Sequence, residues 1–457
     1  MTSGTTGTGR IPGAVPLLGH VLPLLREPLS FLASLPNYGD VVRIKLGTRS
    51  AYVICTPELT REFLQRDRTF DKGGPTWDAV RDVVGDGVAT CPHTPHRRQR
   101  RLVQPAFNSA RLPGYAKIMS EQTASVVESW QDGDTLDVLS EMHAVTGRIL
   151  LSALFTGANL RDEDLAEMLR NFRTFQQGIW RLMFMPSVIA KLNVRGNRRY
   201  RQAKTGLRHA VESVIAQYRA DGTDHGDLLS MLLAAQDPDS AGDSTDAAMF
   251  SETELADQCV TFLFGGTETA ADALAWSLHF IAGHPQVEAR LQAEVDEVLG
   301  DNPAAFEHIP RLDLTERVII EALRLCPPAY MLSRITTREA EIGGHIIPAN
   351  TPVMYSPYLI HRRPDVYSDP ERFDPDRWRD NRQAVRRPND NLLPFGSAAR
   401  QCVGNTFALT ETTLALATII RRWRLRHLPG ARVRPVLRGT LEPGGLSMRI
   451  ESRRRAL

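Results

Sequence analysis

The sequence predicts a mainly α-helical protein with small β-sheets. Three observations carry that expectation. Apolar residues recur at helical spacing through most of the chain after Pro57, the alternation typical of strands is confined to short runs, and one segment from Ser251 to about Gly283 reads as a single long helix. Taken in order, Val41 to Leu46 and Ala51 to Cys55 flank a turn-like Gly47 to Ser50, the pattern of a β-hairpin. Helical patterning follows over Glu121 to Trp130, Leu139 to Leu154, Leu165 to Phe175 and Tyr200 to Tyr218. Residues Gln236 to Ala247, rich in Asp, Ser, Gly and Ala, read as a surface connection, because helical patterning resumes directly after them.

Composition narrows the classes of function. The 457 residues are 42% hydrophobic and 24% charged, with a net charge of +2, so the chain has ample material for a core and no nucleic-acid footprint. A flexible start over residues 1–12 and a single domain over 13–457 is the expected organisation. The first ten residues hold no apolar run, and Pro16, Gly19, His20 and Pro23 break the next one. Neither a signal peptide nor a transmembrane anchor is read there, and a cytoplasmic location is expected. The five cysteines, Cys55, Cys91, Cys259, Cys326 and Cys402, form an odd set without a CxxC pair or a short metal-ligand spacing, which argues against a disulfide framework or a zinc site.

Three segments carry polar residues where patterning alone would not put them. The long helix opens with a capping box, Ser251 to Glu254, and stops at His284-Pro285; at about 1.5 Å per residue it spans roughly 45 Å. In its middle Gly265-Gly266, costing about 1 kcal/mol each relative to alanine, precede Thr267, Glu268 and Thr269. That is either a notch for helix packing or a local opening where a small ligand meets backbone and a hydroxyl. A second helix, about Thr315 to Cys326, carries Glu321 and Arg324 on one face and ends at Pro327-Pro328. Pro370 to Trp378 is too dense in proline and charge for a regular helix or a central strand, and reads as a meander.

The strongest signal is Phe395 to Gly404, which places Cys402 just ahead of an amphipathic run from Thr406 to Trp423. Exposed N–H groups and the helix dipole at that end favour an anionic sulfur, and Arg400 adds a positive charge suited to a carboxylate. A thiolate is the axial donor that haem iron needs when the O–O bond is to be cleaved.

Together these residues resemble the cytochrome P-450 superfamily over nearly the whole chain. The family's ligand loop, Phe-x-x-Gly-x-Arg-x-Cys-x-Gly, is matched by Phe395, Arg400, Cys402 and Gly404, while Ala398 stands where the family has glycine. If the loop needs a positive φ there, alanine costs roughly 1 to 2 kcal/mol and a local rearrangement is expected. The resemblance implies the P-450 fold with a long central helix over haem b, whose iron takes Cys402 as axial ligand. It further implies Glu268 and Thr269 as the acid and alcohol of oxygen activation, His96, Arg100, Arg334 and Arg400 as partners of the haem propionates, and Glu321, Arg324 and Arg377 as a structural triad. Arg372, in the nearer-looking Pro370 to Phe373, is a decoy for the third member.

The function so implied is a monooxygenase using O2 and electrons from a ferredoxin and its reductase, since no flavin domain is read at either end of the chain. A haem-thiolate sensor or carrier would keep Cys402 but have no use for Glu268 and Thr269, and a peroxide-using enzyme would put another group at the alcohol position. The segments that set specificity in the family are apolar here: Trp77, Val84, Val88, Phe172, Phe175, Trp180, Met183, Phe184, Phe262, Leu263 and Ala329 to Leu332. Such a lining rewards buried hydrocarbon at roughly 25 cal/mol per Å2. Val15 to His20, Arg68 to Pro75 and His96 to Arg101 are similar to bacterial sesquiterpene oxidases, so a sesquiterpene or other cyclic terpenoid is the expected substrate. Another lipophilic metabolite or a fatty acid is the alternative.

Overall fold

The computed structural model describes residues 9–158, 162–183, 195–240, 248–380 and 391–453. Their contacts gather into two compact units, one formed by residues up to 78 with 320–402, the other by 79–319 with 403–457.

The first unit is built on a six-stranded sheet. Its strands run in the order Gly9–Arg10, Val41–Leu46, Arg49–Ile54, Pro352–Tyr355, Leu332–Thr336, Phe70–Asp71. The hairpin read from the sequence supplies its second and third strands, with Val41 opposite Ile54 and Leu46 opposite Arg49. Val41, Val42, Val53, Ile54 and Val353 are fully buried, because β-branched side chains suit a sheet covered on both faces. Residues 1–8 of the expected flexible start lie outside the described residues, while Gly9 and Arg10 pair in parallel with Val42 and Arg43.

The second unit is helical. Its axis is the Glu252–Gly283 helix, whose 32 residues reach about 48 Å. The capping box forms as read: the Ser251 hydroxyl accepts from the Glu254 N–H at 3.2 Å, and the Glu254 carboxylate accepts from the Ser251 N–H at 2.9 Å. Helices Val138–Leu154, Arg195–Asp221 and Asn405–Arg422 pack on it. Burial of most residues from Leu255 to Leu278 follows from packing by several helices, while Gly265 is left exposed. The helix is unbroken through both glycines, so no backbone opening is present. A Cβ at Gly266 would lie 2.9 Å from Leu150, which makes that position a packing notch, whereas one at Gly265 would meet nothing within 4 Å. Of the connection expected over Gln236 to Ala247, residues 241–247 lie outside the described residues. Among the described residues no helix is long and apolar enough to cross a membrane.

Candidate active site

Cys402 differs from the other cysteines in its surroundings. It is exposed, whereas Cys55, Cys91, Cys259 and Cys326 are buried. Burial pushes the thiols of Cys55 and Cys259 up to about 12, so both act as small apolar side chains. The backbone N–H of Cys402 donates to the Phe395 carbonyl at 2.9 Å, which closes the ligand loop into a compact bulge, and Gln401 N–H donates to the Ala398 carbonyl at 3.0 Å. Gly396 and Ala398 both have left-handed backbone, with φ of 66° and 59°. Ala398 thus has the positive φ that was the condition for strain at this position. The alanine takes the conformation its position demands, because the hydrogen bonds on either side of it require that turn. The Asn405–Arg422 helix starts three residues beyond the cysteine.

What holds the loop in place is a network centred on Glu321. Arg324 is fully buried and donates through Nε and Nη2 to the two Glu321 oxygens at 2.9 and 2.7 Å. Its remaining N–H groups reach the carbonyls of His361, Pro370 and Arg372 at 2.9, 2.7 and 3.1 Å. The same carboxylate accepts from Trp378 Nε1 at 2.9 Å and from the Asp374 N–H at 3.1 Å, and Arg377 Nε stands 3.5 Å away. A buried carboxylate with this many donors is satisfied, which is the condition for keeping an ion pair in a core. The Pro370 to Trp378 meander is thus fixed by its backbone, and Arg372 contributes a carbonyl rather than its side chain. His361 carries the order onward. Its Nδ1 bonds the Arg324 carbonyl at 3.1 Å and its Nε2 accepts from the Leu393 N–H at 2.8 Å, two residues ahead of Phe395. Tyr367 adds an O–H bond to the Asn391 carbonyl at 2.7 Å. His361 and Tyr367 were not singled out from the sequence, and Trp378 only as the end of the meander. All three lie far from Glu321 along the chain, where no local pattern links them to it.

Arg334 and Arg400 line one recess together with Lys72, Trp77, Ser333, Tyr355 and Ser397. Arg334 is buried and reaches only carbonyls, those of Leu64, Phe70 and Phe63, at 3.3 to 3.5 Å. Burial, and to a lesser extent the charge of Arg400, holds its guanidinium below the usual arginine range. Arg400 bonds Asp71 Oδ1 at 3.0 Å. Trp77 donates its indole N–H to the Ser333 carbonyl at 2.8 Å, with Lys72 over its ring. Three cations around a small cleft, one of them buried without an ion pair among the described residues, suit the carboxylates of a propionate-bearing group, and the exposed thiol of Cys402 suits its metal.

In the second unit Glu268 is buried, and Thr269, partly exposed, donates its hydroxyl to the Gly265 carbonyl at 2.8 Å, one turn back. Thr146 donates to the Thr267 carbonyl at 3.0 Å, tying this turn to the Val138–Leu154 helix. His96 and Arg100 stand one turn apart on the His93–Val103 helix, His96 buried and Arg100 partly exposed. Val84, Val88, Phe172, Phe175, Phe262 and Leu263 are all buried. Phe175 stacks on Tyr200 at 5.8 Å and Phe262 meets Phe107 edge-on at 5.2 Å, so both also serve packing. Phe184 lies outside the described residues, as do the side chains of Trp180 and Met183.

The chain belongs to the cytochrome P-450 family, whose family model matches residues 10–452. It is a haem-dependent monooxygenase. It is 43% identical to cyclooctat-9-en-7-ol 5-monooxygenase of Streptomyces melanosporofaciens over 98% of this chain and 95% of that protein. It is 40% identical to the pentalenene oxygenase of Streptomyces avermitilis over 99% of both, and 41% identical to the cyclooctatin synthase of Streptomyces melanosporofaciens over 97% of this chain and 95% of that one. The crystal structure of the cytochrome P450DA haem domain superposes with a TM-score of 0.86 at 26% identity and covers 98% of both chains.

Proposed function

We propose that the protein hydroxylates a cyclic terpenoid, a sesquiterpene hydrocarbon or a comparably lipophilic skeleton, at an unactivated carbon. The observation that carries the oxidative chemistry is Cys402, the exposed thiol held at the mouth of a helix by the Phe395 carbonyl. Haem, when bound, would supply the O2-activating chemistry by which one oxygen atom enters the substrate and the other leaves as water, at the expense of two electrons and two protons. The chain's residues do the rest. Cys402 ligates the iron, Arg334 and Arg400 neutralise propionate charge from their recess, and His96 and Arg100 do the same from their helix. The buried carboxyl of Glu268 and the neighbouring hydroxyl of Thr269 are the acid and alcohol that relay protons while bulk water is kept out. Glu321, Arg324 and Arg377 act by positioning the loop. Electrons come from a ferredoxin and its reductase, and the cytoplasm is the setting this reading assigns.

The terpenoid assignment rests on three relatives at 40 to 43% identity whose names denote cyclic olefins or their oxidation, and on the apolar character of the segments around Val84, Phe172, Phe262 and Met331. Titration with cyclic sesquiterpenes is expected to shift the iron from low to high spin. A shift with fatty acids and none with any terpene overturns the assignment. The ligand is checked separately: the red-shifted Soret band of the ferrous carbon monoxide form is present in the native protein and absent from Cys402→Ser.

A further inference from the structure

One buried acid on the central helix has no place in the site described so far. Asp272 is fully buried, one turn beyond Glu268, and its carboxylate oxygens form no hydrogen bond of ordinary geometry. Side chains four residues apart on a helix have Cβ atoms about 5 to 6 Å from each other, so the two carboxyls share a face. What else faces Asp272 comes from the C-terminal β-hairpin. The buried Thr440 hydroxyl stands against it, Glu442 follows two residues on, and among the described residues no cation joins the groups that act on it. The hairpin is fastened to the helix one turn further along, where Trp276 Nε1 donates to the Leu441 carbonyl at 2.8 Å. Glu442 is itself largely buried but lies 3.8 Å from Arg438, whose side chain is 71% exposed. Asp272 is thus the fully buried member of this group, and Glu442, beside the exposed Arg438, the member nearer to solvent.

We infer that Asp272, Thr440 and Glu442 form a line of proton carriers that refills Glu268 from the protein surface. The inference rests on the reading of Glu268 as the acid of the site. When Glu268 has given up its proton, the O–H bond of Asp272 breaks and one forms on Glu268. The Thr440 hydroxyl hands its proton to Asp272 as it takes one from Glu442, and Glu442 recovers a proton from water beside Arg438. One proton enters, one leaves, and no electrons move. A carboxyl can serve in such a line only while it is neutral at rest. Burial raises Asp272 well above the usual carboxylate range, with Glu442 and Glu268 adding to the rise against the Thr440 hydroxyl, and burial also raises Glu442. A buried acid without a cation is a burden on stability, and such groups concentrate where protons are handled.

Infrared spectroscopy of the haem-loaded protein in H2O and D2O tests this without reference to turnover. The native protein is expected to show a neutral carboxylic-acid band that is absent from Asp272→Asn, and whose shift on transfer to D2O is slowed about tenfold in Glu442→Gln. Absence of that band at neutral pH, or equal exchange in Glu442→Gln, overturns the inference. A second measurement follows oxygen consumption with a surrogate ferredoxin and its reductase. Asp272→Asn and Glu442→Gln are expected to raise the fraction of oxygen released as hydrogen peroxide and the solvent isotope effect, at unchanged haem content. If Glu268→Gln raises that fraction and Asp272→Asn does not, the line is refuted and the acid role of Glu268 stands. If neither does, the reading of Glu268 fails and the line with it. A fall in haem content of Asp272→Asn with no change in isotope effect marks a structural residue and equally refutes the line.

Discussion

Ala398 offers the sharpest test of the ligand loop. Its φ of 59° is a conformation that costs an L side chain about 1 to 2 kcal/mol and costs glycine almost nothing. Ala398→Gly removes that strain. Against it stand two losses. The methyl group, half buried against the core of the first unit, contributes about 0.4 kcal/mol, half the value of a fully buried methylene. The greater freedom of glycine in the unfolded chain costs about 0.4 to 1 kcal/mol. The net expectation lies between about 0.4 kcal/mol against glycine and about 1.2 kcal/mol in its favour. Were Ala398 in an ordinary backbone conformation, the strain relief would vanish and the same substitution would destabilise by about 1 kcal/mol or more. Near-neutrality or a gain for glycine, against a loss of about 1 kcal/mol, therefore decides. Urea unfolding of the haem-loaded protein, followed by circular dichroism and by haem absorbance, measures it. Ala398→Val, which puts a β-branched side chain into the same turn, is expected to lower the midpoint clearly. A Gly variant less stable than the native protein by 1 kcal/mol, or a Val variant matching it, would refute the reasoning.

Three further outcomes are expected. Arg324→Lys retains the charge but offers three N–H donors where arginine now meets Glu321 twice and the carbonyls of His361, Pro370 and Arg372. At least two buried acceptors are stranded, at about 1 to 3 kcal/mol each, and purified variant is expected to carry little haem, measured as the ratio of Soret to protein absorbance. His361 is held neutral by burial, aided by the charge of Arg324, down to about 3, whereas in the unfolded chain it takes a proton below about 6.5. Its contribution is present above pH 6.5 and lost as pH falls toward 3, so stability should drop by about 2 kcal/mol between pH 6.5 and 5, with a shallower slope in His361→Asn. Thr269→Ala gives up one hydroxyl bond to the Gly265 carbonyl, and is expected to keep haem and substrate affinity while diverting reducing equivalents to hydrogen peroxide, measured against NAD(P)H consumed.

Local chemistry made much of the architecture legible. Ser251 with Glu254, and His284-Pro285, bound the central helix at both ends because caps and prolines act within one turn of themselves. The hairpin at Val41 to Cys55 was readable from alternation, and Cys402 from its place before a helix. Tertiary structure decided what distance along the chain conceals. Glu321 and Arg324 form an ordinary surface pair by sequence, yet both are fully buried, because Asp374 and Trp378, 53 and 57 residues from Glu321, fold back to satisfy the carboxylate. Gly265 and Gly266 are identical in sequence, but packing against Leu150 makes only the second a notch. Nothing local to Asp272 marks it out along its helix, and it is the packing of Thr440 and Glu442 against it that makes it a buried acid. In each case the side chain's chemistry was written in the sequence, while its meaning depended on which remote group removed its water, and that is settled only when the chain closes on itself.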